Sequence, residues 1–164
     1  HSDGNSAEIL AMYNPGTHAN HWSEQKLASF DEAEIGQMFF SHAMIDDGQV
    51  FPNMDGPAVF KVAVEKFPAV IREALEANNR TTADINLLIP HQANLRISQF
   101  VQKKLQLRDD QVYNNIMRYG NTTAASVPIA LCEAWENGKV KDGDLVCLAA
   151  FGSGFTWGSV LLNW

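Results

Sequence analysis

Residues 85–105, INLLIPHQANLRISQFVQKKL, decide the fold class of this chain. Ile85–Ile89 is a short apolar run of the kind that forms a buried strand, and Pro90-His91 closes it. The apolar residues that follow recur at helical spacing and predict a helix: Ile97, Phe100, Val101 and Leu105. A strand that leads directly into a helix is typical of a layered α/β domain.

Upstream of this stretch, apolar spacing predicts another helix that begins near Pro57 and ends at residues 78–79. Pro68 falls inside it and predicts a kink or two consecutive helices. A short strand is predicted over residues 6–13. Between them, residues 17–54 are irregular and rich in aromatic residues, so we expect a loop or insertion region with a short helix near 31–44. A functional lid and a surface insertion are equally favoured for this region.

Downstream, residues 112–117 predict a weaker strand, and a third helix is predicted to start at a Thr122 or Thr123 cap and to bend at Pro128. Two last strands, over 145–150 and 155–162, are joined by a tight glycine turn, which predicts an antiparallel pair. The element order predicts one α/β domain over residues 1–164, with a mixed, mostly parallel, five-stranded sheet.

The composition narrows the function classes. The chain has 164 residues, is 46% hydrophobic and carries a net charge of −7, which argues against nonspecific nucleic-acid binding. We find no apolar run near the roughly 20 residues that span a bilayer, and no secretory signal. Cys132 and Cys147 have no zinc or CxxC spacing and are predicted to be buried thiols in a reducing cytoplasm. His18 and His21 lack further ligands, so no metal site is predicted.

Three polar segments follow predicted strands: residues 90–94, 120–123 and 151–155. In open α/β sheets such strand ends form the active site. Together they would place an imidazole, an amide and backbone N–H groups around one point, a set that can bind a thioester carbonyl and stabilise an enolate or oxyanion. Each segment alone is more typical of a structural residue or an ordinary turn than of an active site. The set also needs a nucleophile or electrophile from elsewhere.

A local basic patch follows His91. Arg96, Lys103, Lys104 and Arg108 occur without an acidic residue between His91 and Arg108, and the first three can share a helix face. Such a face suits an acidic partner, and a solvated helix face explains it equally well.

At residues 89–97, IPHQANLRI, the chain resembles the ketoacyl synthase III family of the thiolase superfamily. Residues 120–128, GNTTAASVP, resemble the asparagine motif of that family, and residues 151–158, FGSGFTWG, resemble its glycine-rich terminal motif. Order and spacing agree, and the resemblance runs from Met54 to Trp164. It implies the C-terminal half of a thiolase-like fold, the N-terminal half with the catalytic cysteine being absent from these residues.

The resemblance implies a condensation of an acyl-CoA primer with malonyl-acyl carrier protein, the step that starts type II fatty-acid synthesis. It implies no cofactor, since CoA and phosphopantetheine thioesters are the substrates. It also implies a cytoplasmic enzyme that is a homodimer when complete, with no nucleic-acid or membrane partner. The chain alone is expected to be inactive without the N-terminal half. A related condensing enzyme of secondary metabolism and a non-catalytic half remain alternatives.

The resemblance also assigns roles by position. His91 and Asn121 match the catalytic histidine and asparagine, which hold the malonyl thioester oxygen. Ser153 matches an oxyanion-hole position through its backbone N–H, and Phe151 matches a phenylalanine that assists decarboxylation. The carrier-protein-binding stretch is Gln92, Ala93, Asn94, Leu95 and Arg96. Further contacts with carrier protein or CoA are expected at Gly56, Lys103 and Lys104, with Gly56 and Asn94 near the pantetheine tunnel.

Overall fold

The computed structural model of the protein describes residues 1–12, 45, 46, 48 and 50–164. Its helices are α1 (Gly56–Ala77), α2 (Leu95–Leu105), α3 (Ile116–Tyr119) and α4 (Ser126–Glu136). Its strands are β1 (Leu10–Ala11), β2 (Asn53–Met54), β3 (Leu87–Pro90), β4 (Leu145–Gly152) and β5 (Thr156–Asn163). Short 3-10 turns occupy Gly4–Ile9, Thr82–Asp84, Asp109–Gln111 and Thr123–Ala125. The predicted helix near 31–44 lies outside the described residues.

The main sheet has the order β3-β4-β5 and is mixed. Strand β3 runs parallel to β4, with Pro90 opposite Ala149, and β4 pairs antiparallel with β5, with Gly152 opposite Thr156. The predicted antiparallel ending is therefore confirmed. Single bridges extend both edges, from Leu88 to Val112 and from Ser2 to Thr156. Among the described residues, the main sheet therefore has three strands and not the predicted five, and its edges carry only the single bridges at Ser2 and Val112.

Two of the predicted strands are wrong in extent. The strand expected over 112–117 is reduced to the bridge at Val112, because the backbone N–H groups of Asn115 and Ile116 donate to the side chain of Gln92 and not to a strand. The strand expected over 6–13 is mostly a 3-10 turn, which Asp3 caps by accepting from the Asn5 N–H.

Strands β1 and β2 form a small separate antiparallel pair, with Leu10 opposite Met54 and Ala11 opposite Asn53. The Asp55 N–H also donates to the Ile9 carbonyl over 2.9 Å. The pair therefore brings together the two ends of the segment between them, which contains most of the predicted 17–54 loop region.

Helix α1 covers one face of the sheet and is continuous across Pro68. Asp55 caps it by accepting from the Ala58 N–H over 3.0 Å, and Pro57 lies in its first turn. Of the two predicted outcomes, a pair of consecutive helices is wrong, because Pro68 is buried with the apolar face and packing holds the turn that lacks a hydrogen bond. That face is fully apolar: Val59, Ala63, Phe67, Val70, Ile71 and Leu75.

Helix α4 covers the opposite face, where Ala130 and Ala134 pack with Leu87, Ile89 and Val146. It begins at Ser126, later than predicted, and neither Thr122 nor Thr123 makes a side-chain cap. Pro128 lies in its first turn, where no intrahelical N–H bond is lost, so the predicted bend has no cause. The sheet is therefore enclosed between helices α1 and α4.

Candidate active site

His91 is the first residue after β3 and is held at the carboxyl end of the sheet. Its backbone N–H donates to the Ala149 carbonyl of β4 over 2.8 Å. The ring is half-buried, and this burial lowers the pKa of His91, which keeps the imidazole neutral near pH 7. Ring atom Nδ1 lies 2.5 Å from Ser126 Oγ, whereas Nε2 contacts no polar atom among the described residues. The ring thus offers Nε2 to an incoming group.

Gln92 holds the backbone around the site. Its side chain is 3% exposed and donates to the Pro90 carbonyl over 2.7 Å. Its Oε1 accepts from the N–H groups of Asn115 and Ile116 over 3.0 and 3.1 Å. The prediction that Gln92 contacts a carrier protein needs correction, because a side chain buried this deeply has no surface for a partner.

The network behind Gln92 continues to α4. Asn115 Nδ2 donates to Glu133 Oε2 over 2.9 Å, and Tyr119 donates to Oε1 of the same carboxylate. The Asn115 hydrogen bond, with help from Tyr119 and the Arg118 cation, lowers the pKa of Glu133. The loop after His91 is therefore tied to the helix on the other side of the site. Sequence reasoning missed Asn115, because it placed this residue inside the predicted strand over 112–117.

Asn121 lies in the turn before α4. Gly120 supplies the positive φ of that turn, at 68°. Oδ1 of Asn121 accepts from the Thr123 N–H over 2.9 Å, which holds the amide in place. Nδ2 donates to no acceptor among the described residues. Because Asn121 is five residues before Ser126, which contacts His91, the asparagine turn and the histidine belong to one end of the sheet.

The third polar segment is the turn between β4 and β5. Ser153 is exposed, its carbonyl accepts from Thr156 Oγ1 over 2.9 Å, and its N–H makes no hydrogen bond within the described part of the chain. Gly154 has a φ of 135°, and a Cβ there would lie 2.9 Å from Thr156 Cγ2, so only glycine fits. Phe151 is buried against Phe155, with ring centroids 5.0 Å apart. The turn thus leaves the Ser153 N–H open to solvent.

The remaining predicted contacts lie on or beside α2. Ala93 and Asn94 are exposed and Leu95 is partly buried. Asn94 caps the helix by accepting from the Arg96 N–H over 2.9 Å. Arg96 is exposed and its guanidinium lies 5.8 Å from the Phe60 ring centroid.

Lys103 and Lys104 are also exposed, in the last turn of α2. Arg108 is paired with Asp110 over 2.9 Å, so it adds little to the basic face. Gly56 is the first residue of α1, where an added Cβ would meet nothing.

Neither cysteine has the environment of a nucleophile. Cys147 is fully buried in β4, and burial raises the pKa of its thiol to about 12. Cys132 is exposed on α4, which corrects the prediction that both thiols are buried. The nearby Glu136 carboxylate raises the pKa of Cys132, which disfavours the reactive thiolate.

Within the described residues, no group of three or more His, Cys, Asp and Glu is placed to hold a metal ion. His18 and His21 lie outside them. Among the helices that the structure describes, none is both long and apolar enough to cross a membrane.

Known proteins match this chain. The family described as 3-oxoacyl-[acyl-carrier-protein] synthase III, C terminal, matches residues 75–164. The β-ketoacyl-[acyl-carrier-protein] synthase III of Clostridium tetani is 39% identical to this chain over 99% of its residues. The enzyme of the same name from Campylobacter jejuni is 51% identical to it over 67% of its residues. The chain spans 45% and 34% of their lengths.

A crystal structure of 3-oxoacyl-[acyl-carrier-protein] synthase III from Aquifex aeolicus superposes with a TM-score of 0.76 at 36% identity. The match includes 100% of this chain and 42% of the Aquifex aeolicus protein. The predicted α/β class is confirmed, and the fold is the thiolase fold. By sequence and by structure, the chain belongs to the β-ketoacyl-acyl carrier protein synthase III family and corresponds to its C-terminal part.

Proposed function

We propose that this chain supplies the hydrogen-bond donors of a decarboxylating Claisen condensation, in a synthase that joins an acyl-CoA primer to malonyl-acyl carrier protein. This is the reaction that starts type II fatty-acid synthesis. One observation carries the proposal. His91 and Asn121 each have one polar side-chain atom occupied by their own chain, Nδ1 by Ser126 and Oδ1 by Thr123, and one polar nitrogen left open.

In the proposed reaction, the open nitrogens, Nε2 of His91 and Nδ2 of Asn121, donate to the thioester oxygen of the malonyl group. The bond between C2 and the carboxylate breaks, CO2 leaves, and its electron pair forms the enolate whose oxygen the two donors stabilise. C2 of the enolate then attacks an acyl group carried on a cysteine sulfur. A carbon–carbon bond forms, the carbon–sulfur bond breaks, and the cysteine leaves as thiolate.

That cysteine lies outside these 164 residues in our proposal. The raised pKa values of Cys132 and Cys147 and the burial of Cys147 disfavour both as acyl carriers. The primer acyl group therefore reaches its sulfur from acyl-CoA, with CoA released as the thiol, on the N-terminal half of the synthase. By the same reasoning, the chain alone is inactive in condensation.

An exposed apolar surface on the α4 side of the sheet supports docking of that N-terminal half. Ile129 and Trp135 of α4 are 36% and 57% exposed. Val160 of β5 is 55% exposed, and strand alternation places it on the α4 side, with Leu162. Large apolar side chains gathered on one face are typical of an interface. We also propose that the complete protein is a homodimer in the cytoplasm.

The carrier protein is proposed to approach along α2. Arg96, Lys103 and Lys104 are exposed cations on this helix, which starts four residues after His91. A carrier protein with acidic surface groups would fit this face, and the opposite charge would steer its pantetheine arm toward His91. No cofactor enters the reaction, because both substrates are activated as thioesters.

The test is malonyl-carrier-protein decarboxylation by the protein that carries this chain. We expect His91→Ala and Asn121→Asp to lower kcat by about 100- to 1,000-fold, as for loss of an oxyanion donor. Asn121→Asp keeps the oxygen that accepts from Thr123, but it replaces the Nδ2 donor by a negatively charged oxygen that repels the enolate, which makes it the sharper variant. Cys132→Ser is the control and should keep nearly full activity. An equal loss in that control, or full activity in Asn121→Asp, contradicts the proposal.

A further inference from the structure

Ser126 lies at the point where α4 meets the histidine loop. It is the first residue of α4 and is 1% exposed. Its Oγ lies 2.5 Å from Nδ1 of His91 and 3.2 Å from the backbone nitrogen of Gln92. The helix therefore presents one buried hydroxyl to two consecutive residues at the end of β3.

The protons at this hydroxyl can be counted. The Gln92 backbone N–H can only donate, so Ser126 Oγ accepts from it. The hydroxyl then has one proton of its own to place, and buried hydroxyl groups are nearly always hydrogen-bonded. Within the described residues, its only hydrogen-bond partner besides the Gln92 N–H is Nδ1 of His91. Donation to Nδ1 satisfies both groups, whereas an N–H at Nδ1 would leave the Ser126 proton without an acceptor.

We propose that Ser126 is a positioning residue that fixes His91 in the tautomer with its proton on Nε2. The chain of hydrogen bonds runs from the Gln92 N–H to Ser126 Oγ and from the Ser126 hydroxyl to Nδ1. Nδ1 is then an acceptor that is already used, and Nε2–H is a donor directed to the open side of the ring. The wrong tautomer would present a lone pair to the substrate oxygen and repel the enolate.

The role of this donor in catalysis depends on the proposed function, but the tautomer itself does not. The tautomer is set by Ser126 and His91 before any substrate binds. A direct reading of the ring nitrogens therefore tests the inference even if the enzyme has another activity.

The first experiment is a 15N NMR measurement on the protein that carries this chain, labelled at histidine, with the His91 signals assigned through His91→Gln. We expect an unprotonated Nδ1 and a protonated Nε2 above the pKa of His91. In Ser126→Ala the two tautomers should mix. The pKa of His91 should rise, because the hydroxyl donor that favours the neutral ring is lost. A protonated Nδ1 in the unchanged protein, or unchanged spectra in Ser126→Ala, overturns the inference.

The second experiment measures malonyl-carrier-protein decarboxylation. Ser126→Ala should lower kcat about 10- to 100-fold with little change in KM, as for loss of a group that orients a functional histidine. Ser126→Thr keeps a hydroxyl at the same position and should recover most of the rate.

Ser98→Ala is the matched control. Ser98 is also a buried helix serine, at 4% exposure, and it donates to Asn114 Oδ1 over 2.6 Å without touching His91. A loss of rate in Ser98→Ala as large as in Ser126→Ala would reduce Ser126 to a packing role. If the unchanged protein fails to decarboxylate malonyl groups, the proposed function fails and the NMR result still decides the tautomer.

Discussion

Replacing Gln92 by Met should destabilise the protein strongly although no volume is lost. Gln92 satisfies three buried backbone groups at good distance, the Pro90 carbonyl and the N–H groups of Asn115 and Ile116. Met has nearly the same shape but neither donates nor accepts well. At about 1–2 kcal/mol for each backbone group left unsatisfied, the three groups together should lower the free energy of unfolding by about 3–6 kcal/mol.

Urea unfolding of the protein that carries this chain measures this loss. With a denaturant dependence of about 2 kcal/mol per molar, the midpoint should fall by about 1.5–3 M. The amides of Asn115 and Ile116 should also exchange with solvent faster. Gln102→Met is the matched control, since Gln102 is partly exposed and donates over 2.8 Å to the exposed Asp109. A loss below about 1 kcal/mol for Gln92→Met would refute the assignment of these bonds.

Three further predictions follow from the burial and charges of single residues. In the folded protein a maleimide should label Cys132 and not Cys147, and Glu136→Gln should speed that labelling because it removes the carboxylate that raises the thiol pKa. Because burial lowers the pKa of His91, this imidazole binds a proton more readily in the unfolded chain than in the folded protein. The stability contributed by neutral His91 is therefore present above about pH 6.5 and is lost as pH falls through that value toward the folded pKa. A urea series against pH should show this slope in the unchanged protein and not in His91→Gln. The isolated 164-residue chain should self-associate through its exposed apolar surface, and Trp135→Lys should shift its sedimentation toward the monomer, whereas a monodisperse unchanged chain would count against that surface.

Elements with a continuous apolar signal were predictable. Helix α2 and strands β4 and β5 follow directly from periodicity, and β3 lies within two residues of its prediction. The placement of His91 was also predictable, because a polar residue directly after a buried parallel strand must lie at the carboxyl end of the sheet. Sequence periodicity predicts an element correctly where the local preference of the residues and their tertiary packing favour the same structure.

The errors arise from contacts with residues that are distant along the chain. The segment 112–117 has strand-like composition, but Gln92 takes the N–H groups of Asn115 and Ile116 and starts a helix there. Pro68 breaks a helix in isolation, yet a buried apolar face over 22 residues keeps α1 continuous. Neither partner is near in sequence, so local pattern could not reveal them.

Ser126 was visible in the sequence but carried no role there. A serine two residues before Pro128 looks like a helix cap, and the structure shows that α4 makes no side-chain cap with it. Its hydroxyl serves His91, 35 residues earlier. Three hydroxyl residues, Thr122, Thr123 and Ser126, precede or begin the helix after the asparagine turn, and one helix needs only one cap. This excess of hydroxyl groups is the signal in the sequence that one of them has another role.

The groups that hold the two proposed donors both lie at, or just before, the start of α4. Thr123 fixes the amide of Asn121 through a backbone N–H, and Ser126, three residues later, holds the ring of His91. A displacement of the first turn of α4 would therefore turn both donors at once. Contacts from Asn115 to Glu133 and from Ala130 to the sheet hold α4 in place, and we expect them to keep the two open nitrogens oriented for one substrate oxygen. Preorganisation of this kind makes donors effective toward charge that develops during the reaction.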